Sequence, residues 1–130
     1  MSDAHCTVLV VEDEWLLRID LVDALEAAGM TVLEAGDVDE ALGHIENGPA
    51  IDILVTDIRL NEDRDGWDIA EAFRRRRPRG DIIYASANSP REERQLPGSL
   101  FLEKPVSMRV LGDACRRFCS TRNSRSGDAF

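Results

Sequence analysis

The chain has 130 residues and a mass of 14.5 kDa, the span of one domain built on a single core. Its 16 Lys and Arg against 25 Asp and Glu leave a net charge of −9, which excludes coating of nucleic acid or of an anionic membrane through bulk charge. At 43% hydrophobic and 32% charged residues the chain should fold, and no apolar run approaches the roughly 18 residues of a membrane span. The start MSDAHC lacks the order of a secretion signal, so a cytoplasmic location is expected.

Strand and helix signals alternate along the chain, which predicts an α/β fold. Thr7–Val11 is a β-branched apolar run, as in a parallel strand covered on both faces. Glu14–Ala28 follows with Leu17, Leu21, Ala24, Leu25 and Ala28 on one helical face, and Gly29 as its stop. Thr31–Glu34 reads as a strand and Val38–Glu46 as a helix capped by Asp37. Ile51–Thr56 is the third strand; after an irregular stretch, Trp67–Arg77 is helical and ends at Pro78 and Gly80. Asp81–Ser86 is the fourth strand. The segment 87–98, interrupted by Pro90 and Pro97, leaves room for a short or irregular helix only.

Ser99–Leu102 is the fifth strand and Met108–Cys119 the last helix, with Val110, Leu111, Ala114, Cys115 and Phe118 inward. Residues 120–130 are polar and read as a disordered tail, which favours a free-standing protein over an excised one. A flavodoxin-like, doubly wound five-stranded parallel sheet of order 2-1-3-4-5 follows, with its binding crevice at the carboxyl ends of strands one and three.

Cys6, Cys115 and Cys119 form an odd set without a CxxC spacing, which predicts free, buried thiols in a reducing compartment and no disulfide. His5 and His44 have no sequence neighbours that make them metal ligands. Strand one ends in Glu12-Asp13-Glu14 and strand three in Asp57, so Glu12, Asp13 and Asp57 should converge where carboxylates raise one another's pKa and favour a cation such as Mg²⁺. Spacing alone leaves a second reading open, in which these acids serve only the positive end of the following helix. Ser86 and Lys104, the latter followed by Pro105, end at the same edge and add a hydroxyl and an ammonium. Singly each is an ordinary turn or cap residue. Together they suit phosphoryl transfer with Asp57 attacking in line.

In that order, LVVEDE, LVTDIRL, ASA and LEKP resemble the receiver domain of two-component response regulators, over residues 5–119. The resemblance implies that Asp57 is the phosphoacceptor, that Glu12, Asp13, Asp57 and the backbone carbonyl of Arg59 hold Mg²⁺, and that Lys104 contacts the phosphoryl group. It further implies that Ser86 and Phe101 form the switch pair and that the Lys104–Pro105 peptide is cis. For Phe101, plain core packing is the alternative. A histidine kinase or histidine phosphotransfer protein is the implied partner. It would dock on the first helix, where Trp15, Leu16, Ile19 and Val22 lie beside the core stripe; partial burial of these side chains against a neighbouring helix is the other reading.

Departures from the family pattern are the polar loop IRLNEDRDGW, Arg59 and Asn88 near the acceptor and the switch hydroxyl, and the shortened segment 87–98. The last puts dimerisation through the usual face in doubt, so a monomer or weak homodimer is expected. Arg74–Arg77 with Arg79 should be a solvated helix end, and without interleaved aromatics or a recognition helix no nucleic-acid role follows. Two other functions stay open: a receiver-shaped interaction module that is not phosphorylated, and a Mg²⁺-dependent phosphohydrolase of the haloacid-dehalogenase type. That enzyme class places an Asp two residues after its nucleophile, where Arg59 stands here, and carries a cap insertion that this chain lacks.

Overall fold

A computed structural model describes residues 6–60, 63–87 and 94–127, with side chains as far as residue 122. The strands are β1 (Thr7–Val11), β2 (Thr31–Ala35), β3 (Ile53–Thr56), β4 (Asp81–Ser86) and β5 (Leu100–Glu103). They form one parallel sheet in the order β2-β1-β3-β4-β5. The helices among the described residues are α1 (Trp15–Ala27), α2 (Val38–Asn47), α3 (Gly66–Arg76) and α4 (Met108–Gly127). The short helix expected within 87–98 falls on a segment whose residues 88–93, Asn88 included, lie outside the described residues.

Side chains alternate across the sheet and feed two cores. Leu9, Val11, Leu54, Ile82 and Tyr84 pack with α2 and α3, while Val8, Val10, Ile53, Val55 and Ile83 pack with α1 and α4. Local chemistry sets the element ends. Asp37 caps α2 by accepting from the Glu40 N–H at 2.8 Å. Asp65 caps α3 in a reciprocal box with Asp68, so one acid of the polar loop has a structural task that the D-x-x-D spacing could have revealed. Gly29 ends α1 at φ 92°, a conformation side chains resist.

The structure corrects several expectations. Cys6 and Cys119 form a disulfide, with Cα atoms 5.9 Å apart; Cys115 alone is free and buried. The sequence hid this because the pair is separated by 113 residues and meets only when the start of β1 and the far half of α4 pack on one sheet face. Helix α4 runs to Gly127, past the expected end at Cys119, so residues 120–127 are helical rather than a disordered tail. Val110, expected inward, is 44% exposed. The arginine run ends α3 with Arg75, Arg76 and Arg79 exposed as expected, and it also makes contacts: Arg74 donates to the Pro97 carbonyl, Arg76 to that of Glu46, and Arg77 approaches Asp52 at 3.5 Å.

Candidate functional site

Parallel strands deliver their carboxyl ends to one edge, and there the sheet order makes β1 and β3 neighbours. The residue after β1, Glu12, and the residue after β3, Asp57, are both buried. With Asp13 they place carboxylate oxygens within 4.8 Å of one another, as the sequence spacing predicted. Lys104, just past β5, crosses to them and donates from Nζ to Glu12 Oε1 and to Asp57 Oδ2, both at 2.9 Å. The peptide after it, Lys104–Pro105, is cis as the resemblance implied.

Each acid is held by backbone as well. Asp57 Oδ1 accepts from the N–H groups of Ile58 at 2.7 Å and Arg59 at 3.3 Å. Glu12 Oε2 accepts from the Glu14 N–H at 3.1 Å. Burial drives the Glu12 pKa above 4.5, although the Lys104 ammonium and the Glu14 N–H pull the other way. Burial would lower the Lys104 pKa, but its hydrogen bonds to Asp57 and Glu12 outweigh that and carry it above 10.5.

Ser86 ends β4 fully buried, and its carbonyl accepts from the Lys104 N–H at 2.9 Å, which ties the ends of β4 and β5 together. Phe101 pairs in register with Tyr84, two residues before Ser86, so Ser86 and Phe101 point to the same sheet face. Phe101 is partly buried against the α2–α3 core. Trp15, Leu16 and Ile19 are exposed at the start of α1, beside the acidic loop; Val22, grouped with them on spacing, is instead half-buried against the α1–α4 core.

Two residues of the site went unnoticed in the sequence. Gly66 lies so close to the Asp57 backbone that a Cβ there would collide with the Asp57 carbonyl, and its N–H donates to Ile58 O at 2.7 Å. A glycine eight to ten residues past an acidic strand end was the available signal. Arg18 reaches back from α1 to the Glu12 carbonyl at 2.8 Å; nothing in the spacing distinguished it from a surface arginine.

Chemically, this edge offers three carboxylates, one ammonium and a buried hydroxyl. The acids outnumber the single Lys104 charge among them, and an all-oxygen donor set with surplus negative charge suits a hard divalent cation.

Comparison with known proteins gives this arrangement its family. The sequence profile of the response regulator receiver domain matches residues 8–116. Among curated proteins, the sensor kinase CckA of Brucella abortus is 37% identical over 110 residues, which are 81% of this chain and 12% of that protein. The transcriptional regulatory protein PdtaR of Mycobacterium tuberculosis is 33% identical over 78% of this chain and 50% of its own length. The chain thus spans at most half of these curated relatives. Among solved structures, a receiver protein from Sinorhizobium medicae superposes with a TM-score of 0.85 at 32% identity, covering 91% of this chain and 97% of that one. The receiver domain of hybrid histidine kinase CckA gives 0.75 at 28%, covering 87% and 98%. Among the described residues no helix is long and apolar enough to cross a membrane. The chain belongs to the receiver domain family of two-component response regulators.

Proposed function

We propose that this chain is the phosphoacceptor of a cytoplasmic two-component phosphorelay, taking a phosphoryl group from a phosphohistidine onto Asp57. The observation that carries the reading is Lys104 Nζ at 2.9 Å from both Glu12 and Asp57, an ammonium seated where phosphoryl charge would develop. Asp57 Oδ1 is pinned by two backbone N–H groups, which leaves Oδ2, whose partner is a flexible side chain, as the attacking oxygen. The new Oδ2–P bond forms as the P–N bond to imidazole breaks, and the imidazole leaves with that electron pair. Lys104 then pairs with a phosphoryl oxygen.

Glu12, Asp13, Asp57 and the Arg59 backbone carbonyl are the groups to hold Mg²⁺; the donor chemistry fits, since every side chain among them offers oxygen. When bound, the ion supplies neutralisation of phosphoryl charge. Ser86, donating to the phosphorylated Asp57, would draw the end of β4 inward, and Phe101 on the same face would follow into the space so made. Trp15, Leu16 and Ile19 offer the docking surface for a histidine kinase or phosphotransfer protein, and the signal leaves through protein contact.

Acetyl phosphate or phosphoramidate with Mg²⁺ should add about 80 Da to the intact mass, the weight of one phosphoryl group. Asp57→Asn or EDTA should abolish the gain. A wild-type protein that stayed unmodified with these donors and with candidate kinases would leave an interaction module that does not use phosphate.

A further inference from the structure

We infer that Arg18 is the positioning residue for the metal-binding acids, a role that rests on the Mg²⁺ reading above. Glu14, the residue at the N-cap of α1, makes no side-chain capping bond, and the local fastening of the acidic turn is the Glu14 N–H donating to Glu12 Oε2 at 3.1 Å. Arg18 supplies another. Helical side chains lean toward the amino end of their helix, and this one brings Nη1 to the Glu12 carbonyl at 2.8 Å and Nε to Glu34 Oε1 at 3.0 Å. The guanidinium therefore clamps the turn from which Glu12 and Asp13 project to the end of β2. The remaining bonds of Glu12 are to Ala35 O from its own N–H, and from the Glu14 N–H and Lys104 to its carboxylate.

The clamp has a fitted seat. A Cβ at Gly36, the residue after β2, would stand 2.8 Å from Arg18 Nη1, and Gly36 does not have the positive φ that would itself require glycine. The space beside Gly36 is thus occupied by the guanidinium. Converging carboxylates repel one another, so a turn released from this clamp would splay before a cation arrives, and a ligand set that must be gathered binds more weakly than one held ready. Charge alone argues the opposite sign, because removing a cation from an acidic site should tighten Mg²⁺. Pairing with Glu34 already offsets much of the Arg18 charge, so positioning is the larger effect.

The test is calorimetric titration of the purified chain with MgCl₂, with circular dichroism to verify folding. Arg18→Ala should weaken Mg²⁺ by about 10-fold, the low end for loss of a group that orients metal ligands. The rate of acetyl phosphate labelling should recover as Mg²⁺ is raised. Gly36→Ala, which keeps every charge and displaces only the flexible end of Arg18, should weaken Mg²⁺ in the same direction and add nothing in the Arg18→Ala background. Unchanged or tighter binding by folded Arg18→Ala, or an effect of Gly36→Ala that persists in that background, overturns the inference. No heat from the wild type at millimolar Mg²⁺, together with acetyl phosphate labelling that EDTA leaves unchanged, overturns the metal reading itself, a separate and recognisable failure.

Discussion

At the carboxyl edge of the sheet, Lys104 is the one ammonium or guanidinium paired with the Glu12 and Asp57 carboxylates among the described residues, with Asp13 in the same cluster. At the amino edge, Asp52 and Asp81 face Arg122 at 3.7 and 3.1 Å, and Arg77 lies 3.5 Å from Asp52. Asp52 also accepts from the Thr7 N–H, and the Cys6–Cys119 disulfide fastens the same end. The second edge balances two carboxylates with two guanidiniums. The first keeps an excess of acids in a buried place. The first edge thus differs from the second in its surplus of carboxylates, and that surplus supports the proposed cation and phosphoryl site. At the far end the disulfide also ties together residues 113 apart in the chain.

If that division holds, changes at one edge should leave the other edge's property intact. The largest effect is expected for Lys104→Ala, which should slow labelling by small phosphodonors about 100- to 1000-fold, as loss of a preorganised charge stabiliser does; intact-mass time courses at saturating Mg²⁺ measure it, and a loss under threefold would refute the assignment. Cys119→Ser should lower stability by about 2–4 kcal/mol in urea titrations under non-reducing conditions. Labelling of Asp57 should be unaffected, and a parallel loss would show that the edges are coupled. Arg122→Ala should cost about 1 kcal/mol, since its partners are partly solvated and Asp52 keeps Arg77 and the Thr7 N–H.

The smallest effect is a pH dependence confined to the site. Because the folded Glu12 pKa lies above 4.5, the folded state binds that proton more tightly than the unfolded chain. Its contribution is present below pH 4.5 and is lost as pH rises through the raised value. Metal-free thermal melts should show this decline, and Glu12→Gln should flatten it. Lys104 acts at the other end of the scale: with its pKa raised above 10.5, its contribution holds until pH climbs past that point. A Glu12→Gln profile that still fell like the wild type would place the decline elsewhere.

The site was legible because its acids sit within two residues of a strand end. A short β-branched run ending in Glu12-Asp13 or in Asp57 fixes the strand, its direction and the side chain at its end together, and the crossover rules do the rest. Its place after the fifth strand brought Lys104 to the same edge, and the resemblance added its role; its contacts span 92 and 47 residues to Glu12 and Asp57. Arg18 escaped notice because its task is to support backbone, and a side-chain contact to a carbonyl leaves no residue-type pattern, whereas Gly66 left a signal in its spacing from Asp57. Val22 and Val110 were misplaced because a helix's apolar stripe is wide, and which flank is covered depends on how the neighbouring helix crosses it.

By itself, then, the sequence determined the alternation of strands and helices and the residues that end each strand, which follow from local periodicity and chain direction; crossover rules added the strand order, and the family resemblance chose between the two readings of the acids. Only the tertiary structure decided the Cys6–Cys119 bond, the seating of Arg18 against Gly36 and the division of charge between the two edges. Those depend on distances between segments remote in the chain, which packing sets and local patterns do not encode.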